Sequence, residues 1–122
     1  MRSPIFLALA SMAVLPTTAH AEGNPAKGAS VFARCQVCHS VERGRKSPVG
    51  PNLAGVVGRK AGSTEFAYSP AMKAAGFAWS TDKIDAFLTH PSAVVKGTKM
   101  AYGGLPNPQD RADLIAFLAS KK

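Results

Sequence analysis

The only two cysteines of this chain stand three positions apart with a histidine directly after the second, in Cys35-Gln36-Val37-Cys38-His39. Two thiols at that spacing can add across both vinyl groups of one porphyrin, and the imidazole that follows can then bind the iron from beneath the ring. C-x-x-C-H is for that reason the attachment signature of a c-type haem. Competing chemistries fit less well. A thioredoxin-type redox pair needs a βαβ setting, and no run of β-branched residues surrounds the motif. A structural zinc site needs four ligands. Cys35, Cys38, His39 and His90 would supply four, but their spacing matches no common zinc pattern. A disulfide between such near neighbours would be strained, and it would leave His39 without a role.

A haem iron with one protein ligand can bind or activate small molecules, whereas a second strong ligand closes that option and favours electron transfer. Downstream of the motif, Met72, Met100 and His90 are the candidates. Met100 lies in the loop Lys96-Gly97-Thr98-Lys99-Met100-Ala101-Tyr102-Gly103-Gly104, where a side chain can be aimed across a cavity without helix geometry dictating its direction. A thioether is a soft, uncharged ligand that raises the potential. Met72 reads as packing in a short apolar helix, and His90 before Pro91 reads as an exposed helix cap.

The elements that must carry these residues are helical. Asn24-Pro25 is an N-cap followed by proline at the first helical position, and the helix it starts runs into the cysteine motif with Gly28, Val31 and Phe32 on one side. Glycine within a helix costs propensity, so Gly28 predicts a close helix–helix crossing. From Gly44 to Gly62, five glycines and two prolines with little periodicity predict an ordered loop wrapped over something. Ser69-Pro70 caps a short helix that Gly76 ends. Ser80 or Thr81 caps the next, with Asp82 and Asp85 favouring its first turn, Ile84, Phe87 and Leu88 its buried stripe, and Pro91 after its end. Lys96 to Gln109 is again rich in glycine and proline. Asn107-Pro108 starts the last helix, with Leu114, Ile115, Phe117 and Leu118 apolar and Lys121-Lys122 at its C-terminal end. The expectation is an all-α fold without strands.

Residues 1–21 read as a secretory signal peptide. Arg2 is the positive start, Ile5 to Leu15 the apolar run, and Ala19-His20-Ala21 the small-x-small cleavage site. The run is too short to span a bilayer as a helix, and nothing else in the chain is apolar for long enough. Cleavage would leave one domain over 22–122, a domain of 101 residues with a thin core that a buried porphyrin would enlarge. Export brings cysteines into an oxidising space, and haem attachment in a bacterial periplasm explains why they occur as one pair with a histidine. The chain carries 15 Lys and Arg against 7 Asp and Glu, a net charge of +8. No block of five consecutive basic residues occurs and export argues against nucleic acid, so an acidic protein docking surface is the indicated partner. No nucleotide loop, hydrolytic triad or paired carboxylates with a second chemistry occur.

Taken together these motifs resemble the class I cytochromes c, most closely the cytochrome c2 type and its mitochondrial relatives. The resemblance runs from Gly28-x-x-x-Phe32 through the cysteine motif, Gly50-Pro51-Asn52-Leu53-x-Gly55-x-x-Gly58-Arg59, Phe66-x-Tyr68-Ser69 and Trp79. It continues to Gly97-Thr98-Lys99-Met100 and Arg111-x-Asp113-Leu114-Ile115-Ala116-Phe117-Leu118. It implies a small fold of about five helices with long loops wrapped around one covalently bound haem c. It further implies that Cys35 and Cys38 are the thioether anchors, that His39 and Met100 are the axial ligands, and that the Pro51 carbonyl orients the His39 ring. Arg59, Tyr68 and Trp79, with Thr98 assisting, would hold a buried propionate, and Gly28 and Phe32 would meet Leu114 and Phe117 where the terminal helices cross. Two departures stand out. Many relatives have tyrosine at the position of Phe87, bonded to the methionine sulfur, and mitochondrial relatives commonly have asparagine at that of Met72. The implied function is a soluble, periplasmic, monomeric one-electron carrier, not an enzyme and not stably inserted in a membrane. Its partners would be a cytochrome bc1-type donor and an oxidase, reaction centre or dehydrogenase acceptor. Lys27, Lys46, Lys73, Lys96 and Lys99 are the candidate steering residues. The alternative is a peroxidase-like or gas-binding haem protein with a labile sixth ligand.

Overall fold

The structure is a computed structural model that describes residues 12–14 and 22–122. The leader expected over 1–21 lies outside the described residues apart from that three-residue stretch. Five helices follow in chain order: α1 Pro25–Phe32, α2 Pro70–Lys73, α3 Thr81–Thr89, α4 Pro91–Val94 and α5 Pro108–Ala119. The described residues contain no strand beyond one isolated antiparallel bridge between Lys60 and Ala78, and none of their helices is long and apolar enough to cross a membrane.

Most helix starts follow from one local rule. Asn24, Ser69 and Asn107 each turn an oxygen onto the orphan N–H groups of the first turn, and each is followed by a proline that has no N–H to leave unpaired. Ser80 caps α3 by accepting the Lys83 N–H at 3.1 Å. α3 differs from expectation in one respect. Only Asp82 occupies its first turn, and Asp85 instead accepts a 2.8 Å ion-pair hydrogen bond from Arg111 Nε on α5. The Arg111 side chain is 13% exposed, and its Nη1 also donates to the Leu105 and Pro106 carbonyls. A partly buried guanidinium thus recruits Asp85 across 26 residues, an attraction stronger than that of a helix end. Pro91 not only follows α3 but opens α4, a single turn too short to show a periodicity. Lys121 and Lys122 fall beyond the last turn of α5, and the Lys121 ammonium lies 5.2 Å from the Phe117 ring centroid.

The core forms where α1 crosses α5. A Cβ built on Gly28 would lie 1.9 Å from the Asp113 carbonyl oxygen and 2.7 Å from Phe117 Cβ, so glycine is what permits this approach. One turn along, Phe32 and Phe117 stack at a 5.2 Å centroid separation, beside the fully buried Leu114. Asp113 fastens the top of the crossing: its buried carboxylate accepts the Asn24 N–H at 2.8 Å and the Gln109 amide at 2.9 Å. These two donors hold the Asp113 carboxyl below the ordinary range. Ile84, Phe87 and Leu88 of α3 complete the core together with Trp79, which sits edge-on between Phe77 and Phe87 at 4.9 Å from each. The remaining space is enclosed by the inner faces of α1, α3 and α5 together with the loops between them.

Candidate functional site

Beyond α1 the chain continues as tight turns that carry the cysteine motif. The Cys35 N–H donates to the Phe32 carbonyl, and the Cys35 carbonyl in turn accepts from Cys38 and His39 at 3.1 and 2.9 Å. Both thiols and the imidazole are thereby fixed to the end of a packed helix. The cysteines are not bridged to each other. Burial pushes the Cys35 thiol up, with the Arg34 charge pulling the other way.

His39 Nδ1 lies 2.8 Å from the Pro51 carbonyl oxygen. A carbonyl only accepts, so Nδ1 carries the proton and Nε2 keeps its lone pair free for a metal. Burial holds the imidazole below its ordinary range, the Pro51 carbonyl opposes this, and the Arg59 cation reinforces it. The neutral, ligand-competent ring is therefore the favoured form. Gly50 lets the loop come this near: a Cβ there would sit 2.7 Å from the Cys38 carbonyl oxygen and 2.8 Å from His39 Cε1.

These residues face a cavity of about 430 Å³, within the range of small-molecule and cofactor sites. Every site residue named from the sequence lines it: Cys35, Cys38, His39, Pro51, Arg59, Tyr68, Trp79, Thr98 and Met100. His39 and Met100 come to one cavity although 61 positions separate them. Met72 and Phe87 line it too, whereas His90 does not and lies exposed at the α3–α4 junction without a side-chain cap bond. Among the described residues no group of three or more His, Cys, Asp or Glu gathers as a bare metal site.

The polar end of the cavity is built by two short segments paired antiparallel around the Lys60–Ala78 bridge. Gly58 and Ala61 donate to the Trp79 and Phe77 carbonyls and Trp79 donates to Arg59, which sets Arg59 and Trp79 side by side. Arg59 Nη1 donates to the Ala54 carbonyl at 3.1 Å, while its Nε is buried with no hydrogen-bond partner. An orphaned guanidinium N–H is costly unless an anion meets it, so it fits a carboxylate-bearing cofactor. The Tyr68 hydroxyl is 2.6 Å from Thr64 Oγ1, which leaves one of the two hydroxyl protons to share. Thr98 Oγ1 accepts the Met100 N–H at 3.3 Å. The donor set, the paired thiols and the orphaned Nε together fit a haem.

Sequence reasoning missed the cavity mouth. Val37 is 81% exposed and Val49 59% exposed, and both line the cavity, as does the exposed cation Arg34. Val37 is one of the two residues between the cysteines of the motif, so its place beside the thiols was available as a signal. The five candidate steering lysines are all exposed, but Lys46 is paired with Glu65 at 2.9 Å and Lys99 donates to the Ala67 carbonyl.

Comparison with known proteins agrees with this geometry. The profile of the Cytochrome c family matches residues 25–122. Cytochrome c2 of Rhodomicrobium vannielii is 51% identical over 109 residues, covering 88% of this chain and 87% of that protein. A cytochrome c of Theileria annulata is 49% identical over 98 residues, covering 80% of this chain and 85% of that protein. Among solved structures, cytochrome cH from Methylobacterium extorquens matches with a TM-score of 0.76 at 40% identity, over 81% of this chain and all of that one. With five helices among the described residues, its C-x-x-C-H turn and its cavity, the chain belongs to the cytochrome c family, whose members carry one covalently bound haem c and serve as electron carriers.

Proposed function

We propose that the protein is a periplasmic one-electron shuttle whose haem iron is held between His39 and Met100. The observation that carries this reading is the convergence of two ligand types on one cavity: an imidazole whose free Nε2 is set by the Pro51 hydrogen bond, and a thioether on the 96–104 loop. The haem supplies a reversible one-electron couple. The chain does the rest. Cys35 and Cys38 anchor the ring edge covalently, and Pro51 fixes the His39 plane and raises its basicity. Arg59, Trp79 and Tyr68, with Thr98 nearby, surround the polar end where a propionate would neutralise the orphaned Arg59 Nε. Ile84, Phe87, Leu88 and Leu114 keep the remaining wall dry. With His39 and Met100 both held by the chain as ligands, a bound iron would offer small molecules no open site, which would favour transfer over catalysis.

Electrons would pass at the mouth flanked by Val37 and Val49, with surface cations steering an acidic partner into a short-lived contact. The proposed partners are a cytochrome bc1-type donor and an oxidase, reaction centre or dehydrogenase acceptor. Raising ionic strength should slow association; a rate constant unchanged from low to high salt contradicts steering. The assignment itself is tested with carbon monoxide on the reduced holoprotein. The proposal expects slow, incomplete binding limited by loss of Met100, whereas prompt stoichiometric binding would instead indicate a gas-binding or peroxidase-like protein.

A further inference from the structure

We propose that Thr64 is a positioning residue that turns the Tyr68 hydroxyl proton toward a carboxylate at the polar end of the cavity, an inference that rests on the reading of that end as a propionate site. Thr64 does not itself line the cavity, whereas Tyr68 does. Their hydroxyl oxygens stand 2.6 Å apart, so one proton lies between them and the other is free for a further acceptor. Left to themselves, a phenol donates to an alcohol, because the phenol is the more acidic of the two. A carboxylate facing Tyr68 reverses that order, since hydrogen bonds to an ionised oxygen are about twice as strong as neutral ones. Tyr68 then gives its proton to the anion, and its oxygen accepts the proton of Thr64. The Thr64 oxygen is in turn approached by the Phe66 N–H at 3.4 Å. Phe66, Thr64 and Tyr68 thus form a row of donors pointing one way, each polarising the next. Local packing fixes the row. Gly62 takes φ +69°, and a Cβ on it would lie 2.9 Å from the Met72 carbonyl oxygen, so the turn before Thr64 is pressed against α2. Tyr68 directly precedes the Ser69 cap of that same helix, and its ring meets the Phe66 ring edge-on at 5.2 Å. Both hydroxyls hang from backbone packed on one short helix, and only a proton has to turn for the row to form.

The reduction midpoint of the holoprotein reads this relay. Arg59 keeps the carboxylate ionised, so losing a donor leaves more negative charge facing the iron and lowers the midpoint. Tyr68→Phe removes the direct donor and should lower it. Thr64→Val keeps the shape but not the proton. It should lower the midpoint by about a tenth to a third of the Tyr68→Phe shift, the extent to which one hydrogen bond strengthens the next. The propionate bending band in the resonance Raman spectrum should move with it. Thr64→Ser retains the hydroxyl and should match the parent. Ser63→Ala removes the neighbouring hydroxyl, which donates to the Lys60 carbonyl instead, and should also match the parent. The decisive comparison is the pair: Thr64→Val added to Tyr68→Phe should change nothing further, because the threonine acts only through the phenol. Thr64→Ala takes the place of Thr64→Val in the same cycle if the valine protein does not load haem. A parental midpoint and Raman band in Thr64→Val, or an equal shift in Thr64→Ser or Ser63→Ala, overturns the relay. So does a Thr64→Val shift that persists in the Tyr68→Phe background. A parental midpoint in Tyr68→Phe overturns the propionate reading itself, and is told apart because it appears with residue 64 untouched.

Discussion

Replacing Gly28 by alanine tests the packing on which the haem cavity stands. The added Cβ would lie 1.9 Å from the Asp113 carbonyl oxygen and 2.7 Å from Phe117 Cβ. An ordinary carbon–oxygen contact is about 3.3 Å, so α1 must withdraw from α5 by about 1.4 Å, because neither backbone carbonyl nor Cβ can rotate aside. Overpacking of this kind costs about 1–3 kcal/mol, and the obstacle being backbone places it at the upper end. Separating the Phe32–Phe117 pair, now at 5.2 Å, removes about another 1 kcal/mol. Alanine returns about 1 kcal/mol of helix propensity. The net expectation is a loss of about 2–3 kcal/mol. With a guanidinium slope of about 4 kcal/mol per molar for a domain of this size, the unfolding midpoint should fall by about 0.6 M. Trp79 is the single tryptophan and is buried, so its emission, quenched by the haem in the folded state, reports the transition. Gly103→Ala, where a Cβ meets nothing within 4 Å, is the reference and should stay near the parent. A Gly28→Ala protein as stable as Gly103→Ala would refute the close crossing.

Two further outcomes follow from single residues. The Asn24 N–H and the Gln109 amide hold Asp113 ionised in the folded state more firmly than in the unfolded chain. Its contribution is therefore complete above the ordinary carboxylate range and is lost as pH falls through the depressed folded value. Asp113→Asn should flatten the acid limb of stability against pH, and a limb of unchanged slope would show that Asp113 does not contribute. Phe87→Tyr introduces a hydroxyl into the buried wall of the cavity that Met100 also lines, so the redox midpoint should move from that of the parent. Equal midpoints in equilibrium titrations would mean that the Phe87 position does not tune the iron.

What could be read from the residues was local in origin. Asn24-Pro25, Ser69-Pro70, Ser80 and Asn107-Pro108 announce helix starts because cap and proline act within one turn, and the structure begins α1, α2, α3 and α5 at those places. Gly28 signalled a crossing because an interior glycine is otherwise a cost. The cavity-lining set was legible because thiols, imidazole and thioether have few other uses in such an order. The parts that escaped depend on partners far away in the chain. Asp85 looked like a helix-end acid until Arg111 claimed it, and nothing near Lys99 in sequence points to the Ala67 carbonyl. Arg59 was expected to bind an anion by resemblance, but only the fold shows that its Nε is buried without a partner at the edge of the cavity. Val37 and Val49 became a mouth only once the loop holding Gly50 had closed on His39.

One-electron transfer without catalysis requires that Met100 complete the coordination of an iron held by His39. Ferric holoprotein at neutral pH, compared in the red visible region with its Met100→Ala variant, decides this most directly. A methionine–iron charge-transfer band in the parent that disappears in the variant, while Met72→Ala retains it, is the predicted result. A band that survives Met100→Ala, or one absent from the parent, would contradict the proposed coordination.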